Sequence, residues 1–312
     1  MYNLTKKRIW VAGHHGMVGS AVMRALAHEP CEVLTVSRAQ CDLTRQAEVE
    51  AWVATHQPDA IILCAARVGG ILANDSYPAD FIYDNLMIES HIINAAASQP
   101  IEKLLFLGSS CIYPQFADQP MREAALLTGP LAPTNESYAI AKIAGIKLCQ
   151  AYRKQHGCDF ISAVATNLYG PHDNFDLQSG HVIPALMRKC HEAMNNQAHS
   201  FEVWGTGNVM REFLHVDDCA DGLIFLLKNY SDAEPVNLGT GEEVAISQLV
   251  ETLQHVIGFS GTPHYNPGIP DGTARKLLDV SKINQLGWHH TTSLADGLAD
   301  TYQWFRENIA GA

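Results

Sequence analysis

The apolar segment Arg8-Ile9-Trp10-Val11-Ala12 runs straight into Gly13-His14-His15-Gly16-Met17-Val18-Gly19. A helical pattern begins inside that loop, with Val18, Ala21, Val22, Ala25 and Leu26 on one face of residues 17–27. A strand that turns on glycines into a helix fits few architectures. It is the opening unit of a parallel sheet with crossover helices.

The rest of the first half keeps the alternation. Strand-like runs fall at 32–36, 60–65, 103–107 and 161–165, and helical runs at 47–56, 81–98 and 138–156. Ala60 to Ala65 is apolar throughout, as in a strand covered on both faces. After about residue 167, short segments and Gly/Pro turns dominate, with helical runs at 181–194, 217–228 and 246–257. The expected fold is α/β. A Rossmann-type doubly wound parallel sheet over 1–166 binds a nucleotide cofactor. A smaller mixed α/β lobe over 167–312 follows, with some of its segments returning to the first domain.

Composition excludes several classes. At 312 residues, 47% hydrophobic and 17% charged, the chain is long enough for more than one small core. Its net charge of -12 argues against nucleic acid or an anionic membrane as a partner. No run approaches 18 apolar residues, and Met1 to Lys7 leads directly into the first strand without an apolar signal region. The expectation is a cytoplasmic protein. Eight scattered cysteines without a Cys-x-x-Cys fit a reducing compartment, and the spacings predict no metal site.

The glycine loop predicts a dinucleotide site formed by Gly13, His15, Gly16, Met17, Val18 and Gly19. Glycines let the backbone approach a pyrophosphate, and a helix N-terminus supplies free N–H groups. After the second strand stands Ser37-Arg38, where an NAD site has an acidic residue. Arg38 is either a partner for the 2′-phosphate of NADP(H) or a solvated loop arginine. Asp42 and Leu43 are placed near the adenine. Ala65, Ala66 and Leu107, at later strand ends, lie against the cofactor.

Ser109, Tyr138 and Lys142 supply the chemistry. Tyr138 and Lys142 are four apart and share a helical face. A lysine beside a phenol is expected to lower its pKa. Tyr138 then protonates a carbonyl oxygen as hydride arrives at carbon, Ser109 hydrogen-bonds that oxygen, and Lys142 also holds the nicotinamide ribose. Cys111, two residues past Ser109, is expected on the same face of an extended strand end. It is a candidate base that a plain reductase does not need.

Taken together, the chain resembles the extended short-chain dehydrogenase/reductases and, within them, the GDP-L-fucose synthase family of 3,5-epimerase/4-reductases. The resemblance covers about residues 8–306. It rests on Ala12-Gly-His-His-Gly-Met-Val-Gly-Ser20, Leu107-Gly-Ser-Ser-Cys-Ile-Tyr-Pro114, Tyr138-Ala-Ile-Ala-Lys142, Asn167-Leu-Tyr-Gly-Pro-His-Asp-Asn-Phe175, Arg211-Glu-Phe-Leu-His-Val-Asp-Asp218 and Pro270-Asp-Gly-Thr-Ala-Arg-Lys276. It implies that Cys111 is the base and His181 the acid of epimerisation at carbons 3 and 5 of a GDP-4-keto-6-deoxy sugar. Reduction at carbon 4 follows, with Tyr138 as proton donor.

The same resemblance implies where the sugar nucleotide binds. Asn167 lies at the lobe junction, and Trp204 offers an aromatic face. Val182 and Leu186 either pack on the guanine or ribose or belong to the core. Arg211 and Lys276 meet the diphosphate, Lys189 keeps a family charge, and Asp271 accepts from the nucleoside. A homodimer is implied through the Tyr138–Lys142 helix, whose small residues are Ala141, Ala144 and Gly145.

Departures from the family pattern are His15 for arginine, Arg67 for lysine, and Ser137 and Ala165 for prolines. They leave open a sister enzyme that makes GDP-L-colitose from the 3-deoxy keto-sugar. Ser110-Cys111 replaces the Asp-Glu pair of the dehydratases, which argues against dehydration. A redox-neutral epimerase and a cofactor-sensing protein without activity are the remaining alternatives.

Overall fold

The strand–glycine–helix opening is the first unit of a sheet that is parallel throughout. A computed structural model describes residues 1–177, 179–269 and 272–311. β1 (Arg8–Ala12) leads into α1 (Met17–Leu26), β2 (Glu32–Leu34), α2 (Gln46–His56) and β3 (Ala60–Leu63). α3 (Ile71–Ser76), α4 (Pro78–Ala97), β4 (Lys103–Ser109), α5 (Glu136–His156) and β5 (Phe160–Ala165) follow.

The second half holds β6 (Asn167–Tyr169), α6 (Val182–Asn195), β7 (Ser200–Trp204), β8 (Met210–Arg211), β9 (Phe213–His215), α7 (Val216–Asn229) and β10 (Val236–Leu238). The chain ends with β11 (Val244–Ala245), α8 (Ile246–Ile257), β12 (Thr262–Asn266), β13 (Arg275–Lys276), α9 (Ser281–Leu286) and α10 (Leu294–Asn308).

The main sheet has six strands in the order β10-β5-β4-β3-β1-β2. The order reverses between β1 and β3, which opens a crevice at their carboxyl ends, where ligands of doubly wound sheets bind. α1 and α7 pack together on one face, and α2, α4 and α5 on the other. Both faces are therefore covered, and Ile61, Ile62, Leu104 and Leu105 are fully buried.

The second half divides its residues between two cores. α7 and β10 return to the main sheet, β10 pairing with β5 from Val236–Ala163 to Leu238–Ala165. Ile283 and Trp288 join the same core. A second core gathers Ile183, Met187, Leu249, Leu253, Leu298 and Phe305 from α6, α8 and α10. Beside it lie short pairs: β6 with β9, β7 with β12, and β8 between β11 and β13.

The structure differs from the sequence reading in several places. α3 and α10 were invisible to apolar periodicity, although Ser293 caps α10 by accepting from the Asp296 N–H at 3.2 Å. α4 starts at Pro78 rather than 81, with proline in its first turn, where the missing N–H does no harm. Two of the three small residues of α5 serve a different purpose, whereas Ala144 is half-buried. Ala141 and Gly145 are buried inside the chain. A Cβ at Gly145 would overlap the Phe106 ring and lie 2.7 Å from Glu89 Oε2. These residues let α5 approach α4 and β4, and present no surface to a partner.

Candidate active site

The loop after β1 is shaped for close backbone approach. Gly13 adopts φ +94°, and a Cβ there would sit 2.6 Å from the Ala65 nitrogen. A Cβ at Gly19 would overlap the Gly13 carbonyl oxygen. Gly16 stands at the N-cap of α1 and offers no side chain to the first-turn N–H groups. These donors face the β1/β3 crevice uncapped, the arrangement that holds a pyrophosphate. Met17 and Val18 are half-buried, whereas His15 is exposed, its ring 3.8 Å from that of His14. Burial and the neighbouring His15 hold His14 below the usual histidine range.

Arg38 extends into solvent, its guanidinium 3.9 Å from Asp42. Asp42 is occupied locally: its carboxylate accepts from the Thr44 N–H at 3.0 Å and the Thr44 hydroxyl at 2.8 Å, which hold its pKa down. The Leu43 carbonyl lies 3.2 Å from a ring nitrogen of His91. Ala65 and Leu107 are buried, and Ala66 is half-buried.

At the end of β4 the chain departs from the extended form expected of it. Ser109 is the last strand residue, and Ser110–Ile112 form a tight 3-10 turn. Cys111 is thus brought to Ser109 by a turn rather than by strand alternation. It is 7% exposed, and the two side chains hydrogen-bond. Burial pushes the Cys111 thiol up, so it does not titrate near neutrality in this state; Lys276, the Ser109 hydrogen bond and Lys142 oppose that rise.

Tyr138 and Lys142 lie in the first turns of α5 as the spacing predicts. Their ionisation differs from expectation. Burial, with Cys111 and Glu89 nearby, raises the Tyr138 phenol well above its usual value. Lys142 does not overcome this because it is already engaged. Its side chain is 3% exposed, with Nζ 3.0 Å from Glu89 Oε1 and 5.9 Å from the Tyr138 ring centre. Phe81 meets the Tyr138 ring edge-on at 6.3 Å.

His181 is exposed at the N-cap of α6, its Nδ1 3.9 Å from Asp173 Oδ1. The Asp173 side chain is 4% exposed, and its Oδ2 has no hydrogen-bond partner among the described residues. The loop before His181 abuts the loop after β3. The Gly70 N–H donates to the Ser179 carbonyl at 2.9 Å, and a Cβ at Gly70 would lie 2.7 Å from the Gly180 oxygen.

The nucleotide-facing residues expected in the second half behave unequally. The Asn167 amide donates to the Glu212 carbonyl at 2.8 Å and ties β6 to the segment after β8. Val182 is exposed, whereas Leu186 belongs to the second core. Lys189 Nζ stands 4.4 Å over the Trp204 ring and 3.8 Å from Glu202 Oε2, making a cation–aromatic platform at the surface. β8 and β13 place Arg211 beside Lys276. Lys276 also acts on Cys111, while burial and Arg211 push its own pKa down. Asp271 lies outside the described residues.

Two acidic residues escaped the sequence reading. Glu89 occupies the buried stripe Phe81, Asn85, Glu89, Ile92, Ala96 of α4; a charge on an apolar stripe is the signal that marks it. Glu212 follows Arg211 in a strand-like segment and is fully buried.

Residues 9–239 match the model of the NAD dependent epimerase/dehydratase family. The chain is 57% identical over 310 residues to the GDP-L-fucose synthase of Sinorhizobium fredii, covering 99% of each. It is 34% identical over 300 residues to the GDP-L-colitose synthase of Yersinia pseudotuberculosis, covering 96% of this chain and 97% of that one. A crystal structure of a GDP-L-fucose synthetase from Naegleria fowleri bound to NADP superposes with a TM-score of 0.93 at 29% identity, over 100% of this chain and 98% of that one. With a crevice, a glycine loop and a Ser-Tyr-Lys set in agreement with these matches, the chain belongs to the NAD dependent epimerase/dehydratase family and, within it, to the GDP-L-fucose synthase family.

Proposed function

We propose that the protein converts GDP-4-keto-6-deoxy-D-mannose to GDP-L-fucose, by epimerisation at carbons 3 and 5 and then NADPH-dependent reduction at carbon 4. The observation that carries this reading is the pairing of Cys111 with Ser109 beside Tyr138. A reductase needs the serine and the tyrosine; only a proton exchange at carbon also needs the thiol.

NADP(H) fits the crevice. Gly13 and Gly19 let the loop fold tightly against Ala65 and onto its own backbone, the first N–H groups of α1 are uncapped, and Arg38 is exposed where a 2′-phosphate would reach it. Gly13, Gly16 and Gly19 would hold the pyrophosphate, with His15, Met17 and Val18 along the loop. Asp42, Leu43, Ala65, Ala66 and Leu107 would line the rest, and Lys142 would hold the nicotinamide ribose. When bound, the cofactor supplies hydride.

The keto group acidifies the hydrogens on carbons 3 and 5. Cys111 removes one as thiolate, a form that burial disfavours and that Lys276, the Ser109 hydrogen bond and Lys142 favour. His181 returns a proton from the other face, with Asp173 Oδ1 3.9 Å from its Nδ1. At carbon 4, Tyr138 donates its proton to the oxygen and Ser109 hydrogen-bonds the same oxygen. A phenol raised by burial remains a donor across the physiological range, which suits an acid. Asn167, Val182, Lys189, Trp204, Arg211, Asp271 and Lys276 form the GDP side of the site, with Leu186 as packing beneath it.

A homodimer through α4 and α5 is part of the proposal. Tyr83 and Ile140 stand exposed on these helices. The cytoplasm is the proposed compartment, supported by eight unpaired cysteines. No helix of the described residues is long and apolar enough to cross a membrane.

The test is reaction of GDP-4-keto-6-deoxy-D-mannose with NADPH in deuterated water. NADPH oxidation with solvent deuterium at carbons 3 and 5 of the product is expected. Oxidation with deuterium at carbon 5 alone points to the colitose-type sugar, and no oxidation overturns the reading.

A further inference from the structure

Glu89 lies midway along α4, on the side turned toward α5, and is 1% exposed. Neither carboxylate oxygen has a hydrogen bond within the described residues. Its single ionic contact is Lys142 Nζ at 3.0 Å. The same ammonium sits 4.7 Å over the Phe106 ring. Gly145, one turn along α5 from Ala141, leaves the space in which this carboxylate lies. The buried carboxylate and the buried ammonium are therefore each other's partners. Removing one would leave the other uncompensated in a low dielectric.

We propose that Glu89 is a positioning residue for the reduction: its buried carboxylate holds the Lys142 ammonium in place below Tyr138 and sets a negative charge beside the phenol. This rests on the function proposed above. The titratable groups facing the pair are Tyr138 and Cys149 from α5, Cys111 from the turn after β4, and Cys64 after β3. None of them is a second carboxylate. Among the described residues, Glu89 is thus the one carboxylate ion-paired to Lys142, and it also acts on Tyr138.

The direction of the effect follows. A carboxylate near a phenol disfavours the phenolate, and a carboxylate near an ammonium favours its protonated form. Glu89→Gln removes both influences. Tyr138 then loses its proton at lower pH, and Lys142 loses the partner that fixes it. Because the reaction needs the protonated phenol, the alkaline limb of kcat must move to lower pH.

The experiment compares wild type, Glu89→Gln and Glu89→Asp. The expected result for the Gln variant is an alkaline limb lowered by about one pH unit and NADPH binding weakened by about tenfold, measured by fluorescence titration. Deuterium exchange into the sugar at neutral pH stays within about twofold, since Cys111 performs it. The Asp variant keeps the charge and returns the limb to the wild-type pH, with kcat lowered because the carboxylate is withdrawn by one methylene. An unchanged limb in a folded Gln variant overturns the proposal. If the Gln variant does not fold, a folded Asp variant with wild-type kcat overturns it instead. The NADPH titration needs no sugar, so it distinguishes failure of this proposal from failure of the assigned reaction, which shows as an inactive wild type that still binds NADPH.

Discussion

Glu89 and Glu212 are both buried carboxylates, one beneath the reduction site and one in the second half of the chain, and their surroundings are opposite. Glu212 accepts from the backbone N–H groups of Thr240 at 2.8 Å, Gly241 at 2.8 Å and Leu278 at 2.9 Å. A Cβ at Gly239 would overlap its Oε1. Among the described residues, Glu89 has one ammonium and no backbone donor. Burial raises the pKa of both. The difference is in what opposes burial. Backbone N–H groups do not titrate, so Glu212 is a fastener that pins the β8, β10 and β13 segments together. The lysine that Glu89 holds stands beside the Tyr138 ring, so Glu89 is a control. Burial of an acid alone therefore does not distinguish structure from function; the nature of its partner does.

The comparison breaks most visibly through catalysis. Cys111→Ser should reduce deuterium exchange at carbons 3 and 5 by about 10²–10⁴-fold, measured by mass spectrometry of the recovered sugar, because it removes the proposed base. Exchange at the wild-type rate would place the base elsewhere.

Glu212→Gln sharpens the contrast next. Its amide would turn an N–H toward donors already fixed in the backbone, leaving them unsatisfied, at about 1–3 kcal/mol of stability. Chemical denaturation should show that loss while the alkaline limb of kcat stays in place. A moved limb would mean that Glu212, too, controls the reaction.

Gly145→Ala probes the space between α4 and α5. The new methyl meets Phe106 and Glu89, so about 1–3 kcal/mol of stability should be lost, with NADPH affinity falling alongside. Normal stability and affinity would show that the helices separate freely. Ser293→Ala, remote from the site, should cost about 1 kcal/mol through loss of the α10 cap and leave kinetics untouched.

A pH series separates the two chemistries. Burial holds the Cys111 thiol above its ordinary value, so exchange should rise with pH through and beyond the usual thiol range. Reduction should fall at alkaline pH as Tyr138 is lost as a donor. Exchange that declines over the same range would contradict the thiolate assignment.

Legibility in the sequence followed locality. The glycine loop and Tyr138/Lys142 are set by neighbours within one turn, and the six-stranded sheet's first five strands by short apolar runs. The final strand, Val236–Leu238, is only three residues long and was hidden by its brevity. Cys111 near Ser109 was anticipated for the wrong reason, since a 3-10 turn and not an extended strand brings them together. The tyrosine's ionisation was misjudged because Glu89 and the depth of burial come from α4 packing, which i,i+4 spacing does not report. Lys276 beside Cys111 depends on β13 pairing with β8, a contact across 65 residues.

The most direct test is Tyr138→Phe with GDP-4-keto-6-deoxy-D-mannose and NADPH in deuterated water. The account predicts deuterium at carbons 3 and 5 with no loss of nicotinamide absorbance. Continued NADPH oxidation, or loss of exchange in a folded variant, would contradict the separation of proton exchange at Cys111 from proton donation at Tyr138.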